Sequence, residues 1–290
     1  MLAAGRYKFM KSIKRIAILG VGFMGGSLAL AIKKNFSGIF VTGYARSNST
    51  YKRLSKLNIV DKVEKDLGKA VYGSDIVVLA VPIYSIIDYF KKITPFLKPG
   101  AIVIDLGSTK ELIESKAHKY LPKNTYFVGC HPLCGSDKSG AQFSTPKLYK
   151  GAICLVSPAK NNIALQKVKS LWMRLGCKVI LVNAKTHDKI LSSISHLVHV
   201  ISFSLTGFVP RAYLKFAATS LRDLTRVSNS PAAVWADILV SNKKNVTRDT
   251  EEFIKGLEKF KELIKKDKKE EILKLIKNIN KKQKIISALH

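Results

Sequence analysis

Short apolar runs alternate with amphipathic stretches along the first 183 residues. The runs at 15–19, 39–44, 75–81, 101–104, 126–128, 152–156 and 178–182 have strand length and β-type composition. Ile76-Val77-Val78-Leu79 is apolar at successive positions, as a parallel strand covered on both faces would be. Pro99-Gly100 and Ser157-Pro158 mark turns between elements. From about Thr186 the β-type runs stop and helical spacing takes over. Ile190, Ile194, Leu197, Ile201 and Leu205 recur at three or four, as do Ile254, Leu257, Leu263 and Ile264. Two final helices are expected over about 246–266 and 268–287. The pattern predicts an α/β domain over 1–183 and an all-helical domain over 184–290. A lone helical hairpin buries little, so its apolar faces are expected to meet the rest of the domain or a second copy, making a homodimer.

The first run leads directly into Gly20-Val21-Gly22-Phe23-Met24-Gly25 and then into helix-forming Leu28 to Lys33. Strand, GxGxxG turn and helix in that order predict a Rossmann-type dinucleotide-binding domain. Gly20 would make the tight turn, Gly22 would admit a pyrophosphate, and Gly25 would let the helix pack on the strand. Phe23, Met24 and Val81 are the flanking cofactor contacts expected beside them. Such folds usually carry a carboxylate about 20 residues on, at the end of the second strand, to hold ribose hydroxyls. Here that end reads Ala45-Arg46-Ser47-Asn48-Ser49. Arg46 and Ser47 suit a 2′-phosphate, so the cofactor is read as NADP in preference to NAD; stacking of Arg46 on adenine is the alternative.

The 290 residues are 47% hydrophobic, enough for a sizeable core and two domains. The first residues lack the apolar core of a signal peptide, and no run approaches about 18 consecutive apolar residues, so a cytoplasmic protein without a membrane span is expected. Fifty Lys and Arg against 20 Asp and Glu leave a formal charge of +30. The lysines are spread along the chain and thickest near Lys265-Lys266-Asp267-Lys268-Lys269, with no interleaved aromatics to stack bases. A solvated basic surface that attracts small anions is expected, with no specific nucleic acid as partner. Cys130, Cys134, Cys154 and Cys177 are expected to be free thiols. Cys130, His131 and Cys134 lack a fourth ligand, so no metal is expected.

The chain also carries Asp105-Leu106-Gly107-Ser108-Thr109-Lys110, the stretch Gly129-Cys130-His131-Pro132-Leu133-Cys134-Gly135-Ser136, His187-Asp188, Ser195-His196-Leu197-Val198-His199 and Leu221-Arg222-Asp223-Leu224-Thr225-Arg226. With the glycine turn ahead of them, these blocks resemble, in order and over about residues 14–250, the prephenate and arogenate dehydrogenases of tyrosine biosynthesis. The resemblance implies oxidative decarboxylation of prephenate to 4-hydroxyphenylpyruvate, or of arogenate to tyrosine. It also implies His131 as the base for the C4 hydroxyl and Ser108 as a group touching nicotinamide and substrate. Arg226 would grip the ring carboxylate, with Arg222 one turn earlier assisting or simply solvated. His199 would face the substrate, with His196 on the same helix face in a binding or structural role. Trp235 would close over the substrate side chain, and Ser136 would reach the same pocket. Taken without its neighbours, Ser108 reads equally as a helix N-cap.

Two departures stand beside that pocket end. Val198 replaces the proline common within the two-histidine block, and Ala218-Thr219-Ser220-Leu221 replaces the usual glycines and aromatic. They leave the choice of prephenate or arogenate open. The rival readings are another dehydrogenase of β-hydroxyacid type, or a non-catalytic cofactor- or nucleic-acid-binding protein suggested by the charge.

Overall fold

The computed structural model describes residues 12–134 and 139–288, and among them the strands form two sheets. Strands β1 (Arg15–Leu19), β2 (Phe40–Tyr44), β3 (Lys62–Glu64), β4 (Ile76–Leu79), β5 (Ile102–Asp105) and β6 (Tyr126–Val128) lie in the order β3-β2-β1-β4-β5-β6. Every pairing in that sheet is parallel. The order reverses between β1 and β4, the switch point at which open α/β sheets bind ligands. Side chains alternate across the sheet. Ile16 and Ile18 enter one buried cluster with Val78 and Ile104, while Ala17 and Leu19 enter the other with Val77, Leu79 and Val103. Burial on both faces is why these strands lack a polar alternate position.

Helices α1 (Phe23–Asn35), α2 (Asn48–Leu57), α3 (Leu67–Val71), α4 (Ile83–Ile93), α5 (Glu111–Tyr120) and α6 (Asn162–Arg174) accompany the strands. The second sheet consists of β7 (Cys130–Leu133), β8 (Ile153–Val156) and β9 (Lys178–Leu181), with β7 antiparallel to β8. Two of these strands are not expected from the apolar pattern. β3 is three residues long and reads Lys-Val-Glu. β7 carries Pro132, which a strand tolerates at a sheet edge, and β7 is an edge strand here.

The remainder is helical. α7 (Ala184–Leu191) runs through a π-turn at Ser192–His196 into α8 (Leu197–Phe208), followed by α9 (Thr219–Thr225) and α10 (Ala232–Ser241). By length and composition the Ala184–Phe208 run is apolar enough to cross a membrane, contrary to the expectation that no segment would be. That run carries four side chains of the candidate site, and its outward face, including Ile190 and Ile194, is exposed in the single chain. Compact packing divides the chain between Asn242 and Lys243, whereas the change from α/β to helical character falls near 183. Beyond Asn242 stand α11 (Lys243–Lys265) and α12 (Lys269–Ser287), close to the two expected helices. Asp267, in the turn between them, adopts a left-handed conformation at φ 52°. Ile254, Leu257, Ile264, Leu273 and Ile276 on this hairpin are exposed.

Candidate active site

The glycine turn is shaped by close approach. Gly20 has φ +96°, and a Cβ there would lie 2.3 Å from the Ala80 carbonyl oxygen just after β4. A Cβ on Gly25 would stand 2.2 Å from the Gly20 oxygen, so helix and turn could not close. Around Gly22 nothing among the described residues lies within 4 Å of a Cβ position, so none of them blocks approach to its backbone. Gly22 is also the N-cap of α1, with no side-chain cap and no acidic residue in the first turn. The turn therefore presents helix amides and the positive end of the helix dipole, the arrangement a pyrophosphate requires. Phe23 is half-buried at the helix start. Met24 packs against the core and its carbonyl accepts from the Tyr149 hydroxyl at 2.7 Å; Val81 lies against Gly20.

At the end of β2, Ser47 caps α2 by accepting from the Thr50 amide at 3.1 Å and lies 2.9 Å from the Ser49 hydroxyl. Arg46 is exposed beside it, and Lys65 donates to Asn48 at 3.1 Å. This rim is basic and hydroxyl-rich, a setting suited to phosphate.

β5 delivers the next part of the site. Asp105 ends that strand fully buried, and the Lys110 ammonium meets its Oδ2 at 2.6 Å. Lys110 Nζ also donates to the carbonyls of Gly107 at 2.7 Å and Thr109 at 3.1 Å. Asp105 in turn accepts from the amides of Gly107 at 2.8 Å and Cys130 at 3.2 Å. A buried ion pair with its hydrogen bonds satisfied thus pins the loop that carries Ser108 and the start of β7. Ser108 is not the N-cap of α5. Asp188, from α7, accepts from the amides of Lys110 at 2.7 Å and Glu111 at 3.0 Å instead.

His131, on β7, places Nδ1 2.9 Å from His187 Nε2, and His187 Nδ1 lies 2.8 Å from Asp188 Oδ1. Burial holds His131 well below the usual histidine pKa, and the neighbouring His187 and Lys110 push in the same direction. His131 is therefore a neutral imidazole across the physiological range, free to accept a proton. Burial also lowers His187, with Asp188 opposing.

The π-turn and α8 place the other two histidines. His196 is buried; Asn242 Nδ2 donates to its Nδ1 at 3.1 Å and to the Asp188 carbonyl at 2.8 Å. Its Nε2 is buried without a hydrogen-bond partner among the described residues. His199 donates from Nδ1 to the Ser195 carbonyl at 2.9 Å and stacks on Trp235 at 3.4 Å and 19°. His196 meets the same Trp235 edge-on at 6.1 Å, so the two histidines do share a face. The His199 pKa is lowered first by burial and further by the Arg226 charge, which places that exposed arginine within electrostatic reach. Arg222 is exposed one turn earlier. Ser136 lies outside the described residues.

Four contributors were absent from the sequence-derived site: His187, Asp188, Lys110 and Asn242. His187-Asp188 and Lys110 stand inside the motif blocks without a role assigned to them there, and Asn242 gives no signal in the sequence at all. The four cysteines are free. Burial raises the Cys134 and Cys177 thiols to about 12, so neither is a ready nucleophile.

Burial drops the His196 pKa to about 4, and His131 and His187 move the same way. Between about pH 6.5 and 4 the unfolded chain binds protons that the folded chain refuses, so stability falls as pH falls through that window. Above about pH 6.5 both states are neutral at these positions and the dependence vanishes. His196 alone is expected to contribute a loss of about 3 kcal/mol at the acid end. Denaturant unfolding followed at successive pH values checks this, and a flat midpoint between about pH 6.5 and 4 would contradict it.

A dinucleotide turn at the switch point, with a buried loop anchor at the end of β5 and a neutral histidine on β7, whose start bonds to that anchor, defines a nicotinamide-dependent dehydrogenase with a helical second part. Residues 28–181 match the sequence model described as prephenate dehydrogenase, nucleotide-binding domain, and 183–278 match prephenate dehydrogenase, dimerization domain. The chain belongs to the prephenate dehydrogenase family. It is 33% identical over 258 residues to the prephenate dehydrogenase of Lactococcus lactis, covering 86% of this chain and 70% of that one. It is 29% identical to the cyclohexadienyl dehydrogenase of Zymomonas mobilis, over 97% of this chain and 99% of that one. Among solved structures, prephenate dehydrogenase from A. aeolicus in complex with hydroxyphenyl propionate and NAD+ matches with TM-score 0.87 and 30% identity, over 95% of this chain and 99% of that one.

Proposed function

We propose that this chain oxidatively decarboxylates prephenate to 4-hydroxyphenylpyruvate, or arogenate to tyrosine, with hydride transfer to NAD(P). The observation that carries this is His131, a neutral imidazole held on β7 beside the Ser108 loop within a family of that activity. A nicotinamide held at the Gly20–Gly25 turn would supply the hydride acceptor. His131 holds the C4 hydroxyl proton while the C4 hydrogen leaves as hydride. The ring carboxylate bond then breaks, its electrons aromatise the ring, carbon dioxide departs, and the proton returns to the phenolic oxygen. Aromatisation drives the step, so the protein mainly positions and deprotonates. Ser108 contacts the same hydroxyl, and Arg226 receives the ring carboxylate through its planar fork. Nδ1 of His196 accepts from Asn242, so its neutral ring carries the hydrogen on Nε2. His199 and Trp235 close the side-chain end.

The helical part from residue 184 is proposed to bind substrate and to join two copies, covering Ile190, Ile194 and the apolar face of the α11–α12 hairpin. NADP is the proposed preference, from Arg46 and Ser47. Initial rates with prephenate and arogenate, each crossed with NAD and NADP, test the function and rank the substrates and cofactors; no turnover in any combination would overturn it. Arg46→Asp is expected to shift kcat/KM from NADP towards NAD on the order of tenfold to a hundredfold, the value of a charge-assisted hydrogen bond. An unchanged ratio would assign Arg46 to adenine or solvent.

A further inference from the structure

We infer that His187 and Asp188 are positioning residues that fix the tautomer of His131, leaving its Nε2 lone pair as the proton acceptor. The inference rests on the proposed reaction and adds two side chains that need not touch substrate. It follows from hydrogen-bond accounting along the three side chains. Asp188 accepts from backbone amides on both oxygens, Lys110 N on Oδ1 and Glu111 N on Oδ2. The carboxylate is an acceptor throughout, so the hydrogen in its 2.8 Å contact with His187 belongs to His187 Nδ1. A neutral imidazole with hydrogen on Nδ1 carries its lone pair on Nε2. His187 Nε2 therefore accepts, and the hydrogen in the 2.9 Å contact with His131 belongs to His131 Nδ1. The lone pair of His131 is then on Nε2.

The same chain serves the charged state. When His131 takes the hydroxyl proton it becomes imidazolium, and its Nδ1–H is already donated to His187, whose far side is held by a carboxylate. Both His187 and Asp188 are 1% exposed, so this support acts in a poorly screened setting. The groups facing His187 are His131 from β7, Asp188 on its own helix, Lys110 before α5, Asp105 at the end of β5, and His196 in the π-turn. Of these, Asp188 is the carboxylate bonded to the ring, and Lys110 opposes any positive charge there.

Asp188→Asn puts a donor where the acceptor stood. The substituted amide can donate to His187 Nδ1, which moves the His187 hydrogen to Nε2 and makes His131 Nδ1 the acceptor. The hydrogen of His131 is then on Nε2, where the base is needed. An analogous Asp-to-Asn change beside a catalytic histidine costs about 10⁴-fold in kcat in serine proteases, a worked example of wrong-tautomer loss.

The test compares wild type with Asp188→Asn, His187→Leu and His187→Gln in the full chain. Steady-state kcat and KM are measured from about pH 5 to 9, either side of the ordinary histidine range, with the preferred substrate and cofactor, together with ¹⁵N imidazole shifts of His131. Expected are a fall in kcat of roughly 10²- to 10⁴-fold in Asp188→Asn and His187→Leu, little change in KM, and a His131 hydrogen moved from Nδ1 to Nε2 in Asp188→Asn. His187→Gln, whose carbonyl can accept from His131 and whose amide can donate to Asp188, is expected to keep more activity than His187→Leu. Asp188 also caps α5; if Asp188→Asn fails to fold, the two His187 variants carry the comparison with the cap intact. Wild-type kcat in Asp188→Asn, equal losses in His187→Leu and His187→Gln, or a wild-type His131 hydrogen on Nε2 would each overturn the inference. Should wild type turn over neither substrate, the reaction fails while the imidazole shifts still decide the tautomer.

Discussion

His131→Asn is expected to lower kcat by roughly 10²- to 10⁴-fold, the usual contribution of a positioned general base, and to leave KM for substrate and cofactor nearly unchanged. An asparagine amide can still donate towards His187 Nε2, so packing around β7 and the His187–Asp188 contact should survive. What disappears is a lone pair able to hold the C4 hydroxyl proton. Because burial and the neighbouring His187 and Lys110 keep His131 well below the usual histidine pKa, wild-type kcat/KM should be level above about pH 6.5 and fall only in acid. A variant that keeps more than about a tenth of wild-type kcat would remove His131 from the role of base.

The second large effect concerns stability. Lys110→Met leaves Asp105, fully buried, without its cation and removes the three contacts that the ammonium makes with acceptors. Breaking a buried pair in this way costs about 3–5 kcal/mol, because the remaining charge has no compensation. The thermal midpoint should fall by roughly 10 °C at the 2–4 °C per kcal/mol typical of a protein of this size. Lys110→Met combined with Asp105→Asn should recover part of the loss, since no unpaired charge remains and the asparagine oxygen can still accept from one of the Gly107 and Cys130 amides, which meet different oxygens of Asp105. A single variant with a wild-type midpoint would show that water or a neighbour replaces the ammonium. The loss should extend to activity, because the same pair pins both the Ser108 loop and the start of β7.

The glycine turn was legible because its requirements are local. A positive φ at Gly20, and collisions that a Cβ would make with Ala80 and Gly20 itself, arise within one strand-turn-helix unit. His131, the proposed base, is legible from its block, and the shared face of His196 and His199 from spacing; both of the latter meet Trp235. Spacing does not show that this helix contains a π-turn over Ser192–His196, since an apolar stripe tolerates one extra residue. The strand under His131 is hidden in the sequence because Pro132 argues against a strand unless the strand lies at a sheet edge, and edges are known only after assembly.

The residues themselves determined most of the elements, the glycine turn and the family, and they single out His131 as the proposed base. Each depends on a pattern contained in a few neighbouring positions. Tertiary structure decided how the base is supported. His131 meets His187 across 56 residues, Asp188 reaches back 78 residues to cap α5, and Asn242 joins His196 across 46. Hydrogen bonds are satisfied by whatever lies within about 3 Å in space, and no one-dimensional period encodes such a distance; only the packed chain shows which donor meets which acceptor.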